Sequence, residues 1–231
     1  MPVKRSPGDE PARSNPIRVF IVDDHPVVRQ GLGQLLVMAP DMDCCGEAGS
    51  AQEAMKRLEA AKADVAVVDL SLRDSSGLEL VKDLHARQPG LPVVVLSIHD
   101  EGLYAERVLR AGARGYVMKD EAEETILVAI RRVAAGGIHL SDRMSGRLLT
   151  KFVDGSSESA GGALGRLSDR ELEVYDLIGR GVTTREIAGR LNLSIKTVEA
   201  HRENIKKKLK LGDAVELLQH AFRWVQDQTN S

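Results

Sequence analysis

Asp23 and Asp24, Asp69, Ser97 and Lys119 each stand where a short, β-branched apolar run ends: IRVFIV before Asp23, VAVV before Asp69, VVVL before Ser97 and YVM before Lys119. Three carboxylates gathered in one small site repel, so either one keeps a proton or a hard cation sits among them. An all-oxygen set of that kind suits magnesium, and an ammonium and a hydroxyl beside it suit the oxygens of a phosphate. Together these five residues offer the chemistry of an acidic, phosphate-handling pocket.

That chemistry requires the five to meet, and the elements between them say how. Apolar runs of this kind, alternating with helical stretches, predict parallel strands buried on both faces. Helical spacing falls at 27–39, 51–63, 77–88, 101–113 and 121–137, the last closed by glycine, and strand patterns fall at 17–22, 42–48, 65–70, 91–97 and 115–119. Five strands alternating with five helices predict a doubly wound α/β domain over residues 17–137. In such a sheet, residues just past the carboxyl ends of neighbouring strands face one crevice. Taken singly, each residue also has a plainer use. Asp23 and Asp24 suit a helix N-cap before Pro26, Asp69 a turn, Ser97 a strand-end hydroxyl and Lys119 a solvated cation. Their shared position at the same ends of one parallel set favours the joint reading.

The bulk composition narrows the classes. A chain of 231 residues fits one large or two ordinary domains, and a net charge of −2 announces no nucleic-acid partner for the whole, so charge is judged by region. The two cysteines, Cys44 and Cys45, are neighbours in a strand pattern; a bridge between them would be strained, and buried free thiols are expected. No apolar stretch approaches the ~18 residues that span a bilayer. The opening MPVKRSPGDEPARSNP lacks the apolar middle of a signal peptide, so residues 1–16 are expected to be a disordered tail and the protein cytoplasmic, without a membrane partner.

After residue 137 the pattern changes. Residues 138–163 are expected to link two domains, with a possible helix at 141–152, and the Gly/Ser-rich 153–165 suits flexible chain. Residues 164–231 carry helical patterns only, a small all-α domain. Within it, TTREIAGRLN and SIKTVEAHRENIKKKLK, with a short turn between, have the form of a helix-turn-helix, Ser194 capping the second helix. On that helix Ile195, Val198, Ile205 and Leu209 are expected to form the buried stripe. Lys196, Ala200, Glu203 and Lys207 lie opposite, flanked by Lys206, Lys208 and Lys210. This suits insertion in a major groove, with Arg202 and the lysines (Lys206 and Lys207 foremost) at phosphates and Lys196, Thr197, Ala200 and Glu203 on the groove side. A solvated amphipathic helix would show the same wheel. His201 suits a packed histidine as well as a phosphate contact. In DAVELLQHAFRWV, Phe222 and Trp224 suit either a core or an interface between copies.

The motifs IVDDHPVVRQGL, VVDLSLRDSSGLEL and VVVLSIHDEGLYAERVLRAGARGYVMK strongly resemble the receiver domain of two-component response regulators. LSDRELEVYDLIGRGVTTREIAGRLNLSIKTVEAHRENIKKKL resembles the LuxR-type helix-turn-helix of the NarL/FixJ family. The resemblance implies a flavodoxin-like fold for the first domain. It also implies that Asp69 accepts a phosphoryl group from a sensor histidine kinase, and that Asp24, Asp69 and the Ser71 carbonyl hold Mg²⁺, with Asp23 helping mostly through water. It further implies that Lys119 touches the phosphoryl oxygens, and that Ser97 and Tyr116 form the switch. DNA is the implied partner, with a homodimer forming on phosphorylation. Two positions depart from the family pattern: Arg73 stands where proline is usual past the acceptor, and Asp120 where proline usually follows the lysine. Neither is expected to touch the phosphoryl group.

Three function classes remain at this point. A phosphorylation-controlled DNA-binding transcription regulator is the leading one and is not an enzyme. A magnesium-dependent phosphohydrolase passing through an aspartyl phosphate would need a general acid or base near Asp69, for which SLRDSSG supplies only Asp74. The third is a DNA-binding regulator that works without phosphorylation, which need not keep all five pocket residues.

Overall fold

A computed structural model of the chain describes residues 15–72, 76–121, 123–154 and 162–229. Most of the expected N-terminal tail, the Gly/Ser stretch at 155–161, and Arg73 and Asp74 lie outside the described residues.

Five strands form one parallel sheet: β1 (Ile17–Val22), β2 (Met42–Ala48), β3 (Val65–Asp69), β4 (Val93–Ser97) and β5 (Gly115–Met118), in the order β2-β1-β3-β4-β5. This is the flavodoxin-like order, and the strand sequence reverses between β1 and β3, where a crevice opens at the carboxyl ends. The strands are apolar on both sides because both sides are covered. Val19 and Ile21 of β1, Val65 and Val67 of β3, and Val94 and Leu96 of β4 point to one layer, built with α1 (Pro26–Met38) and α5 (Glu123–Ala134). Phe20, Val22, Ala66, Val68, Val93 and Val95 alternate with them and point to the other, built with α2 (Ala51–Ala61), α3 (Gly77–Arg87) and α4 (Glu101–Arg110).

Local signals set the helix ends. Ser50 and Ser76 cap α2 and α3, accepting from the backbone N–H of Glu53 and Glu79. Pro26 opens α1, but the N-cap is His25, so neither Asp23 nor Asp24 serves as its cap. After α5 ends at Ala134, Gly136 takes the left-handed φ of 84°. Cys44 and Cys45 are free but only half-buried, not fully buried as expected, because β2 is an edge strand with incomplete cover; burial still pushes both thiols up in pKa.

The possible helix at 141–152 is present as α6 (Asp142–Asp154), which seats Met144 in the core and pairs Lys151 with Glu106 of α4 at 2.8 Å. Beyond it come a short 3-10 turn at Leu164–Arg166 and four helices: α7 (Asp169–Gly179), α8 (Thr184–Arg190), α9 (Ile195–Leu209) and α10 (Ala214–Thr229). Capping boxes start α7 (Ser168 with Glu171) and α8 (Thr183 with Glu186). Asn192, at φ 52°, turns the chain between α8 and α9. Tyr175 anchors α7 on α10, its hydroxyl 2.6 Å from His220 Nδ1 and its ring 5.3 Å from that of Trp224.

The helical unit does not stand apart from the sheet unit. The core on the α2–α3–α4 side runs on into Leu172, Tyr175 and Ile178 of α7. Asp169, at the start of α7, accepts from Lys82 of α3 at 2.9 Å and from Arg107 of α4 at 2.8 Å. Arg107 also donates to the carbonyl of Leu167 at 2.8 Å.

Candidate functional site

The crevice at β1/β3 receives what the strand ends deliver. Asp69 closes β3, Asp23 and Asp24 follow β1, and Lys119 follows β5 with its backbone N–H on the Ser97 carbonyl at 2.8 Å. Asp23 and Asp69 are each 1% exposed. Lys119 Nζ donates to Asp23 Oδ2 at 2.7 Å and to Asp69 Oδ2 at 2.8 Å. The remaining oxygens serve the backbone: Asp69 Oδ1 accepts from Ser71 N–H at 3.1 Å and Asp23 Oδ1 from His25 N–H at 2.8 Å. Asp69 therefore makes both the turn contact that its type suggests and the ion pair that the pocket needs.

Burial pushes the Asp69 carboxyl upward in pKa, further than the Lys119 charge beside it pulls it down. For Lys119, burial favours the neutral amine, but the Asp69 charge and the bonds to both aspartates outweigh it and raise its pKa. The pocket thus holds more anion than one ammonium compensates. Asp23, Asp24, Asp69 and His25 each offer a ligand atom, all within 4.8 Å of one another. His25 was not anticipated; its Nδ1 lies 2.8 Å from Asp24 Oδ1, and its side chain is 53% exposed. The three carboxylates beside it are a set of hard oxygens, which fits Mg²⁺.

Ser97 is fully buried at the end of β4, and its Oγ accepts from His99 N–H at 3.1 Å. Tyr116 is buried on β5, its hydroxyl donating to the His99 carbonyl at 2.6 Å. Burial raises the pKa of that phenol, with the adjacent Ser97 hydroxyl drawing it the other way. His99 is the second residue that sequence reasoning missed, since nothing in SIHD marks it. Its Nε2 lies 2.9 Å from Ser71 Oγ, its ring stacks on Tyr104 at 4.6 Å, and burial lowers its pKa.

On α9, Val198 and Ile205 are buried, Leu209 is half-buried, and Ile195, expected in the stripe, is 43% exposed. Ile195 is the first residue of the helix, a turn short of the surface that α7 and α8 cover. Lys196, Ala200, Glu203 and Lys207 are exposed along one side, as expected. Thr197 joins the cap, its Oγ1 2.7 Å from Ser194 Oγ. Arg202 reaches Thr184 of α8 at 3.4 Å, and Lys206 pairs with Glu203 at 2.9 Å. Lys208, counted on sequence among the groove-flanking lysines, instead bonds Glu171 of α7 at 2.6 Å and helps hold the helices together. His201 is half-buried. No helix among the described residues is long and apolar enough to cross a membrane.

Comparison with known proteins matches two family models. Residues 19–131 match the response regulator receiver domain, and residues 166–221 match the bacterial regulatory proteins of the luxR family. The chain is 36% identical over 206 residues to the transcriptional regulatory protein UhpA of Escherichia coli, covering 89% of this chain and 98% of that one. It is 39% identical over 193 residues to the DNA-binding transcriptional activator DevR/DosR of Mycobacterium tuberculosis, covering 84% and 88%. Among solved structures, RcsB of Salmonella enterica serovar Typhimurium, bound to a promoter in the presence of the phosphomimetic BeF3−, aligns with a TM-score of 0.67 at 29% identity, covering 90% and 98%.

Proposed function

We propose, since this chain belongs to the NarL/FixJ family of two-component response regulators, that Asp69 is its phosphoacceptor and that phosphorylation there sets how it binds DNA. The observation that carries the reading is the Lys119 ammonium bridging buried Asp23 and Asp69 at adjoining strand ends, with Ser97 closing the next strand. Phosphoryl transfer asks the protein for positioning and counter-charge rather than for covalent chemistry. Asp69 supplies the attacking carboxylate oxygen, and Lys119 neutralises charge on the equatorial oxygens. Asp24, Asp69 and the Ser71 carbonyl would hold Mg²⁺, with Asp23 acting through water. When bound, the ion would supply positive charge that offsets the anionic oxygens of the acceptor and the phosphoryl group. Ser97 and Tyr116 read the result.

The phosphodonor is a sensor histidine kinase in the cytoplasm. The receiver domain takes residues 17–137, the connection residues 138–163, including α6, and the DNA-binding domain residues 164–231. Lys196, Ala200 and Glu203 face the bases with Thr197 beside them at the helix cap, while Arg202, Lys206 and Lys207 serve the phosphates. Because the groove side of α9 is exposed while α7 is docked on the receiver, burial of the recognition helix is not the control. Association of copies suits the exposed apolar side chains of Val215, Leu218 and Phe222 on α10, at helical spacing. The product is a phosphorylation-promoted homodimer on DNA and a transcription regulator rather than a turnover enzyme.

The test is Asp69→Asn with a small acyl-phosphate donor and Mg²⁺. Labelling should vanish, and undiminished Mg²⁺-dependent labelling of the variant would overturn the assignment.

A further inference from the structure

We infer that His99 is the residue through which the acceptor pocket controls the docking of α7, its main chain held by the two switch residues and its side chain set against the DNA-binding domain. The inference rests on the reading of Asp69, Ser97 and Tyr116 given above and adds the route by which their state leaves the receiver.

His99 is tied at both ends of its own peptide units. Its N–H donates to Ser97 Oγ at 3.1 Å, and its carbonyl accepts from the Tyr116 hydroxyl at 2.6 Å. The imidazole spans the gap between domains. Nε2 meets Ser71 Oγ at 2.9 Å, the ring stacks on Tyr104 of α4 with planes 24° apart, and Nδ1 faces Asp176 Oδ1 of α7 at 3.8 Å. Neither of those last two atoms makes a hydrogen bond among the described residues. Asp176 is fixed in place by Arg180 Nε at 2.7 Å. A cavity of about 260 Å³ lies beside this contact, lined from the receiver by Asp24, Ser71 and His99 and from the helical unit by Asp176, Arg180 and Arg190.

Asp176 stands two helical turns after Asp169, so the same side of α7 carries both contacts. Asp169 is latched by Lys82 and Arg107 at the start of the helix, and Asp176 meets His99 near its end. The latch is made by part-buried Lys82 of α3 and Arg107 of α4, neither of which bonds Asp69 among the described residues. Only the His99 end senses it.

A phosphoryl oxygen on Asp69 accepts from the Ser97 hydroxyl. The χ1 rotation that carries Ser97 Oγ to that oxygen takes it out of reach of His99 N–H, from which it now accepts at 3.1 Å, and a buried amide left without an acceptor is strongly unfavourable. The loop therefore re-forms, and the imidazole it carries leaves Ser71, Tyr104 and Asp176. The α7 end of the domain contact loosens, freeing the helical unit to pair with a second copy.

The experiment is amide hydrogen exchange on the full-length chain, with Mg²⁺ and with or without BeF3− as the phosphoryl mimic, comparing the wild type with His99→Ala and Asp176→Asn. In the wild type the mimic should speed exchange across α7 and the facing end of α4 by roughly tenfold, a usual size for coupled sites. Both variants should exchange faster without the mimic and respond to it by less than about twofold. A mere packing role would raise exchange in both states and leave their ratio as in the wild type, and that result overturns the inference. Should His99→Ala fail to fold, as judged from the amides of β1 and β3, Asp176→Asn decides alone, since it leaves the receiver sequence intact. Bound BeF3−, seen by fluorine NMR, without any α7 response in the wild type sinks this inference and leaves the acceptor reading standing. Absence of bound BeF3− removes the acceptor reading and this inference with it.

Discussion

Lys119 Nζ and Asp69 Oδ2, fifty residues apart in sequence, lie 2.8 Å from each other, and the same ammonium holds Asp23 at 2.7 Å. The pair joins two strand ends separated by β4, and among the described residues no other lysine or arginine pairs with these two buried carboxylates. Removing it leaves the acids uncompensated. Lys119→Met should lose about 3 kcal/mol of stability without divalent ions, as broken buried pairs do. It should recover much of this in Mg²⁺. Urea denaturation with chelator and with Mg²⁺ checks both halves, and equal loss in the two conditions would contradict the arrangement.

Gly77 begins α3, packed against the end of β3 at Asp69. A Cβ there would stand 2.1 Å from the Asp69 carbonyl oxygen and 2.5 Å from Leu70 Cα, both backbone atoms that cannot swing aside. Gly77→Ala should cost about 3 kcal/mol, the upper end for overpacking, and should slow labelling of Asp69 because the strand end must shift. Denaturation midpoints and labelling rates on the same preparation test the two effects together.

On DNA, Lys206→Ala with Lys207→Ala should weaken binding to every sequence and reduce the salt slope by ~1 for each phosphate that is no longer neutralised. Lys206 already pairs with Glu203 at 2.9 Å, so Lys207 should account for more of the change. Glu203→Gln should instead alter base preference. Binding isotherms at several salt concentrations separate the outcomes; an unchanged slope with altered preference would mean that α9 docks differently.

Asp169 sets a pH dependence on domain docking. Burial alone would raise its pKa, but the hydrogen bonds from Lys82 and Arg107 outweigh it and hold the carboxyl below its usual range. The docked form thus binds fewer protons than the undocked one. Its contribution is present above the ordinary carboxylate pKa of about 3.9 and is lost as pH falls through the lower, docked value. Small-angle scattering should show the chain opening below about pH 4. Asp169→Asn should be more open at neutral pH and lose that step; a variant as compact as the wild type would show that the latch is not needed.

The amino-acid sequence by itself determined the sheet and where its chemistry gathers. Short β-branched runs bounded by helical spacing admit few arrangements, and right at their carboxyl ends stand Asp23, Asp24, Asp69, Ser97 and Lys119, which the parallel topology brings into one crevice. Ser194 and the two-helix spacing placed α9 in the same way, because capping and helical period are local properties. Tertiary structure alone decided what depends on surfaces meeting. Ile195 follows the helical wheel of the stripe yet is exposed, since a wheel gives direction and not how far the neighbouring helices extend. Lys208 resembles its neighbours in sequence, but only the seating of α9 on α7 turns it to Glu171. His99 and Asp176 carry no pattern that links them. Their meeting, like that of Asp169 with Lys82 and Arg107, arises where α7 packs against α3, α4 and the β4–α4 turn, and no local period encodes that placement.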